Sequence, residues 1–318
     1  MNKYAFAFDV GGLFIKAAVL LESGHIIPGS YAIYPSHSKG TKEEIVAHLI
    51  LILKQQAGLI LDRQYEFYGV GYAFPGPFDY EKGICYIQGQ DKFEHLYGVN
   101  LCSEVMSELR ADPYFSSRLT SDFQIVFEND ANLFALGELF SGKASSFSRS
   151  ICMTIGTGTG SAFIDDGKLI SDRSDVPMNG WIYNEPFADS VIDDYISKRG
   201  ILRLAKELGM NTEHLEVKEL AEKAYGGHRL AKQAFHRFGQ NIGSIVNLFI
   251  ASFKPETVII GGQIAISKDL FLQGILEVLT DKNVLIQTVE GTSMSTFVGV
   301  ASLLQRTSQK KKFLNDEC

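Results

Sequence analysis

Four short segments of this 318-residue chain carry residues able to do chemistry. Asp9-Val10-Gly11-Gly12 closes an apolar run. Paired glycines let a backbone turn at φ > 0 and bring amide N–H groups up to an anion, a nest suited to phosphate. Asp9 just before them is a candidate to position Mg²⁺, directly or through water. An ordinary hairpin turn would leave the same letters. Gly156-Thr157-Gly158-Thr159-Gly160 sets three alternating glycines between two apolar runs. Each glycine costs about 0.5–1 kcal/mol in regular structure. Close approach of a phosphate chain accounts for that cost, with the Thr157 and Thr159 hydroxyls adding hydrogen bonds, and a flexible hairpin is the competing reading. The spacing fails the G-x-G-x-x-G dinucleotide fingerprint.

The third segment, Glu128-Asn129-Asp130-Ala131-Asn132, stands at a strand-to-helix junction. Asp130 there is either a helix N-cap or a general base that takes the proton of an attacking hydroxyl, as phosphoryl transfer requires. The fourth, Gly261-Gly262 after Val258-Ile259-Ile260, lets a flat base or ribose pack on bare backbone, or simply turns a strand into a helix. Gly137 to Ala144 nearly spells a phosphate-binding P-loop. Ala144 lacks the hydroxyl that loop needs, and the segment closes a helix instead of following a strand. The histidines show no HExxH spacing, and Cys85, Cys102, Cys152 and Cys318 form no zinc pattern. Trp181 reads as packed core or pocket wall.

The elements needed to position these segments are legible. Strands are expected over 4–10, 14–21 and 26–34, joined at Gly11-Gly12 and Ser23-Gly24, a glycine-punctuated meander. A helix follows, with Thr41 and Glu44 at capping-box spacing and Ile45, Leu49 and Leu53 at helical period. Strands over 67–73 and 124–128 come next, then a helix over 131–140. The pattern restarts with strands over 150–155, 161–165 and from 168, with Asp166-Gly167 as a hairpin turn. Helices dominate 190–253, a strand spans 257–260, and helices over 269–279 and 295–305 precede a polar tail. The two halves share an architecture rather than a sequence. Two α/β lobes with a ligand cleft between them follow as the expectation. Residues 1–120 form the first lobe, 121–294 the second, helix 295–305 crosses back onto the first, and 307–318 is the tail.

With 45% apolar and 21% charged residues, the chain reads as a globular protein of about two domains. Its net charge of −7 argues against a nucleic-acid partner. The most apolar stretch, near 45–61, is interrupted by His48, Lys54, Gln55 and Gln56 and is too polar to span a membrane. A carboxylate as early as Asp9 leaves no room for a signal sequence, and scattered cysteines fit a reduced, cytoplasmic protein.

Taken together, these segments resemble the ROK family of bacterial sugar kinases, within the actin/hexokinase ATPase superfamily. Asp9 to Gly12 looks like the first phosphate motif, D-I-G-G-T-K; 71–77 like G-x-P-G-P; 128–138 like E-N-D-A-N…A-L-G-E; 155–160 like the second phosphate motif; and 259–262 like the adenosine motif. The matches run in order from about residue 4 to 305. The resemblance implies a two-lobed actin-like ATPase fold, a duplicated ribonuclease-H-like architecture with a central cleft. It also implies Mg-ATP, phosphorylation of a hexose hydroxyl (usually the 6-OH) and a homodimer. Carried over by position, Asp130 is the base. Asp9, Gly11, Gly12, Gly156, Thr157, Gly158, Gly160, Gly261 and Gly262 hold ATP. Gly76, Asn129, Asp130, Asn179 and Asp193 face the sugar.

Three departures stand out. Leu13 and Phe14 replace the motif's Thr and Lys. In the family's G-E-x-G-H sugar motif, Asn179 and Ile182 replace Glu and His, and Asp193 stands for a following Glu. The cysteine zinc motif has no counterpart, so no structural zinc is expected. These changes keep open a sugar- or nucleotide-binding protein that has lost its chemistry. The family's repressors carry a helix-turn-helix ahead of the first phosphate motif, and Asp9 leaves no room for one here.

Overall fold

The computed structural model describes residues 2–316, with side chains to residue 309. The chain divides into two compact units, Met1–Phe140 with Ser293–Cys318, and Ser141–Thr292. In the first, strands β1 (Asn2–Val10), β2 (Phe14–Leu21), β3 (Ala32–Pro35), β4 (Tyr65–Ala73) and β5 (Leu119–Glu128) form one sheet in the order β3-β2-β1-β4-β5. β2 is antiparallel to β1 and β3, while β4 is parallel to β1 and β5. β1 is central, and Tyr4, Ala5, Phe6, Ala7 and Phe8 are all buried. That is why its sequence is nearly continuous in apolar residues instead of alternating.

Helix α1 (Lys42–Ala57) starts at a complete capping box. The Glu44 amide donates to Thr41 Oγ1 at 3.3 Å, and the Thr41 amide donates to Glu44 Oε2 at 2.8 Å. Its buried stripe of Ile45, Leu49, Ile52 and Leu53 packs in the same core as β1. Helices α2 (Leu101–Ala111) and α3 (Asp130–Ser141) follow. The C-terminal helix (Thr292–Asp316) crosses α3 backbone to backbone. A Cβ built on Gly137 would lie 1.8 Å from the Ser295 carbonyl oxygen, and one on Gly299 would lie 1.9 Å from that of Leu133. The same helix presses Val300 and Leu304 onto Gly71 and Gly69 of β4, where a Cβ would meet them at 2.4 and 2.6 Å.

The second unit repeats the plan. Strands β6 (Arg149–Ile155), β7 (Thr159–Asp165), β8 (Lys168–Ile170), β9 (Thr257–Gly261) and β10 (Leu285–Thr288) run in the order β8-β7-β6-β9-β10. This is again an antiparallel meander of three strands followed by two parallel ones. Helices α4 (Lys198–Glu207), α5 (Val217–Tyr225), α6 (Arg229–Ile250) and α7 (Lys268–Val278) supply its core, with Phe235, Phe238, Ile242 and Phe271 fully buried. α6 and α7 touch through Gly239 and Gly274, where a Cβ would come within 2.0 and 2.2 Å of the opposing carbonyl oxygens.

Several boundaries differ from the sequence reading. The third strand begins at Ala32, not near residue 26. Before it the chain is held by the buried Ser30 hydroxyl, which donates to the Ile27 carbonyl at 2.7 Å and accepts the Val19 amide at 3.1 Å. β5 begins at Leu119 and pairs with β4, so the division between units falls after Phe140 instead of near 120. The last helix runs on through the expected polar tail to Asp316, and residues 317–318 of that tail, with Cys318, lie outside the described residues.

Candidate active site

In the first unit, Asp9, Ala73 and Glu128 are register partners on three parallel strands. The carboxyl ends of β1, β4 and β5 therefore deliver Gly11-Gly12, Phe74-Pro75-Gly76 and Asn129-Asp130 to one edge of the sheet, the usual ligand edge of such sheets. Neither Gly11 nor Gly12 is among the positive-φ residues, contrary to the turn geometry expected from sequence. Space explains them instead. A Cβ on Gly11 would sit 3.0 Å from the Phe14 carbonyl oxygen, which accepts the Gly11 amide at 2.9 Å. A Cβ on Gly12 would sit 3.1 Å from Cδ of Lys92. Leu13 and Phe14, 80% and 56% exposed, point no charge at this turn.

Asp9 Oδ2 accepts from Lys16 Nζ at 3.1 Å and from the Ser293 hydroxyl at 2.9 Å, and Lys16 also donates to Ser293 at 2.8 Å. Among the described residues no cluster of three carboxylate, histidine or cysteine side chains is placed to hold a metal. One carboxylate at the Gly11-Gly12 turn is a donor set that suits Mg²⁺, which keeps most of its waters and binds through substrate phosphates. Asp9 is the residue that would hold it.

The helix cap falls on Asn129, not Asp130. Asn129 Oδ1 accepts the amides of Ala131 at 3.0 Å and Asn132 at 3.4 Å. Asp130 Oδ1 accepts the Ala131 amide at 2.9 Å, and among the described residues no other residue's side chain is shown bonded to its carboxylate. Solvent reaches its side chain. Crowding by surrounding protein, and then the charge of Asp9, raise the Asp130 carboxyl above the ordinary carboxylate range; backbone amides and Lys92 pull the other way. Water screening tempers both effects. Glu128 is also raised, by burial, while its Oε1 accepts from the Asn129 amide at 2.8 Å and from Asn132 Nδ2 at 3.0 Å.

Two residues that sequence reasoning missed complete this edge. Tyr80 donates to the Phe74 carbonyl at 2.9 Å and also bonds the Asn129 side chain. Burial first, then the nearby carboxylates, keep its phenol protonated. Its hydroxyl is the nearest neighbour of Gly76, at 3.4 Å from a built Cβ, so it ties the Gly76 loop to the Asn129-Asp130 corner. Lys92 is the second. Lys92 lies far from the motifs in sequence, and Tyr80, three residues past the 71–77 segment, is marked by no local pattern.

In the second unit, Gly156-Thr157-Gly158 turns β6 into β7, with the Gly156 amide donating to the Gly158 carbonyl at 2.9 Å. Thr157 and Gly158 are exposed. Thr159 is turned inward: its hydroxyl donates to the Ile196 carbonyl at 3.2 Å and cannot serve a phosphate. Asp193 belongs to this turn, accepting the Thr159 amide at 2.7 Å and pairing with Arg199. Gly261 is the register partner of Thr154, and Gly262, at φ +92°, brings its Cα so close that a Cβ would lie 2.3 Å from the Ile155 carbonyl oxygen. Gly156, Thr157, Gly158, Gly160, Asp193, Gly261 and Gly262 thus share the carboxyl ends of β6 and β9 or the turn beside them. Asn179 stands on the separate Met178–Gly180 turn, exposed, at φ +58°. Ile182 is core, 1% exposed.

Two sheets of one strand order, each with glycine turns at the carboxyl ends of its parallel strands, define an actin-like ATPase fold. The chain belongs to the ROK family, whose sequence model matches residues 5–305. A glucokinase of Thermotoga maritima is 24% identical over 294 residues, 86% of this chain and 86% of that one. A xylose repressor of Caldicellulosiruptor bescii is 24% identical over 238 residues, 69% of this chain and 56% of the repressor. The chain spans from 56% to 86% of the length of the first curated relatives it matches. Among solved structures, a ROK family glucokinase from Streptomyces griseus in complex with glucose and AMPPNP superposes with a TM-score of 0.71 at 21% identity, covering 95% of this chain and 99% of that one. Among the described residues no helix is long and apolar enough to cross a membrane.

Proposed function

We propose that the chain is an ATP-dependent carbohydrate kinase that moves the γ-phosphoryl group of Mg-ATP to a hydroxyl, the 6-OH, of a hexose or hexose derivative. The observation that carries this reading is Asp130. It is relieved of helix capping by Asn129, open to solvent on one oxygen, raised in pKa, and set beside the Gly11-Gly12 turn. Relatives named as glucokinase and as N-acetyl-D-glucosamine kinase support the substrate class.

The hydroxyl oxygen attacks phosphorus, a new O–P bond forms, and the bond from phosphorus to the β–γ bridging oxygen breaks, leaving its electron pair on ADP. The hydroxyl proton passes to Asp130 Oδ2. The raised pKa brings the base closer to the working pH, where proton acceptance in the transition state is most effective. Asn129, fixed by capping, offers its amide to a sugar hydroxyl, and Tyr80 and Gly76 shape the same pocket. When bound, Mg²⁺ supplies charge neutralisation on the phosphates. Gly156, Thr157, Gly158 and Gly160 offer backbone amides and a hydroxyl to the phosphate chain, and Gly261-Gly262 offer a flat backbone to adenosine.

Sugar recognition departs from the resemblance. Asp193 is committed to its phosphate turn and to Arg199, and Ile182 is core. In the first unit Asp130 and Asn129 remain the polar groups for hydroxyl recognition, and in the second Asn179 stands exposed on its own turn. The resemblance adds a homodimer and a cytoplasmic compartment, and sedimentation tests the first. A second reading, a binding protein without chemistry, is favoured by the same loss of polar groups and by exposed Phe14. ADP release on mixing Mg-ATP with glucose, N-acetylglucosamine and N-acetylmannosamine separates the two. Turnover of one sugar supports the kinase. Silence on all, with ATP still bound, supports the second reading.

A further inference from the structure

Lys92 is half-buried, and the only interaction its ammonium group shows among the described residues is a long-range one with the Asp130 carboxylate. Its stem lies along Gly12, with Cδ, Cβ and Cγ at 3.1, 3.8 and 4.0 Å from a Cβ built there, so the bare glycine is what admits it. The residues on either side, Asp91 and Phe93, both take the left-handed φ, at +54° and +55°, that L side chains avoid. Such a conformation persists only when its surroundings enforce it. Here they do. Phe93 is buried against Phe74, with ring centroids 5.0 Å apart, and its amide donates to the Ser38 carbonyl at 2.6 Å. Ser38 in turn donates to the Gly12 carbonyl at 2.6 Å, and Gln90 reaches the Gly76 carbonyl at 3.3 Å. The other nearby cation, Lys16, is already spent on Asp9 and Ser293.

We propose that Lys92 is the cation that meets the transferring phosphoryl group, reaching across Gly12 to the side of the turn that faces Asp130. This rests on the kinase reading. In transfer from ATP to a hydroxyl, the anionic γ-phosphoryl group passes from the leaving ADP oxygen to the acceptor oxygen that faces the base. An ammonium whose stem is packed on Gly12 and which lies within electrostatic range of the base is placed to meet that group. A fixed positive group there stabilises the charge without reorganising at the moment of transfer. It does from another loop what Phe14, an uncharged side chain beside the glycines, cannot do. Lys92 also acts on the base, since its charge favours the ionised, proton-accepting form of Asp130.

Lys92→Met keeps the stem and removes the charge; Lys92→Arg keeps the charge; Lys92→Gln stands in should the Met variant not fold. Two readouts are taken: kcat and KM on the sugar that the wild type phosphorylates, and calorimetric affinities for Mg-ATP and Mg-ADP without sugar. Lys92→Met is expected to lower kcat by about 10²-fold, to leave sugar KM within about threefold, and to lose most of the preference for ATP over ADP. Lys92→Arg should recover most of both, and Asp130→Asn should keep the ATP preference while losing kcat. Wild-type kcat together with wild-type ATP preference in Lys92→Met overturns the proposal. So does a loss confined to sugar KM, which would make Lys92 a sugar ligand. If the wild type phosphorylates no sugar, the kinase reading fails on its own, and the ATP-over-ADP comparison still decides whether Lys92 meets the γ-phosphate.

Discussion

Asp130 concentrates the account at the residue scale. The change Asp130→Asn keeps the shape and removes the base, and kcat is expected to fall by about 10²–10⁴-fold with circular dichroism unchanged. The same change should raise the melting temperature at pH 7. A carboxyl whose pKa is higher folded than unfolded favours the fold at low pH, and that contribution is lost as pH rises through the folded value. The Asp130→Asn variant lacks that penalty, so its gain over wild type should vanish below about pH 4, where the wild-type carboxyl is protonated both folded and unfolded. In activity the sign is opposite: kcat/KM rises with pH as Asp130 ionises, with a midpoint above the ordinary carboxylate value of about 4. Melting curves and rate profiles across pH check both. The five letters Glu-Asn-Asp-Ala-Asn marked this corner because capping is a local pattern, although the sequence alone left Asp130 between cap and base and did not single out Asn129 as the cap. Tyr80 and Lys92 were invisible because their roles come from loops folded back onto Asn129 and Gly12 from dozens of positions away.

At the scale of elements, several glycines serve packing between backbones. Gly137 in the A-L-G-E signature is where α3 meets the backbone of the C-terminal helix, and Gly299 is its counterpart. Gly137→Ala should destabilise by about 3 kcal/mol, the upper range for an overpacked contact, because carbonyls and not flexible side chains stand in the way. Thr41→Ala, which removes half of a capping box, should cost about 1 kcal/mol. Thermal melts of the two variants beside wild type test that ranking, and a milder effect at Gly137 than at Thr41 would contradict the packing argument. Periodicity and capping signals marked α1, β1, β2 and the Asp166-Gly167 hairpin because each is a local pattern. The start of β3 was misplaced because the apolar run from Ile26 is held by side-chain bonds from Ser30 instead of a ladder.

Over the whole molecule, the same strand order in both sheets explains why two glycine-rich turns, far apart in sequence, each follow a first strand of the same kind. The duplication was legible from the repeated meander, while the division between units was not. β5 and α3 resemble the start of a new half until β5 is seen to pair with β4. With one carboxylate at the Gly11-Gly12 turn and no cage of ligands among the described residues, the metal of the proposed reaction is expected to arrive with the nucleotide. Chelation should therefore abolish phosphoryl transfer without lowering the melting temperature of the free protein, and a large drop on adding EDTA would point to a resident metal.

The central claim, phosphoryl transfer from Mg-ATP to a sugar with Asp130 as base, is tested most directly by coupled ADP release. The assay sets a panel of hexoses, amino sugars and N-acetyl sugars against the wild type and Asp130→Asn side by side. Turnover of at least one sugar is expected in the wild type, with its near-complete loss in the variant. Turnover that survives in Asp130→Asn, or silence across the panel with Mg-ATP still bound, would contradict it.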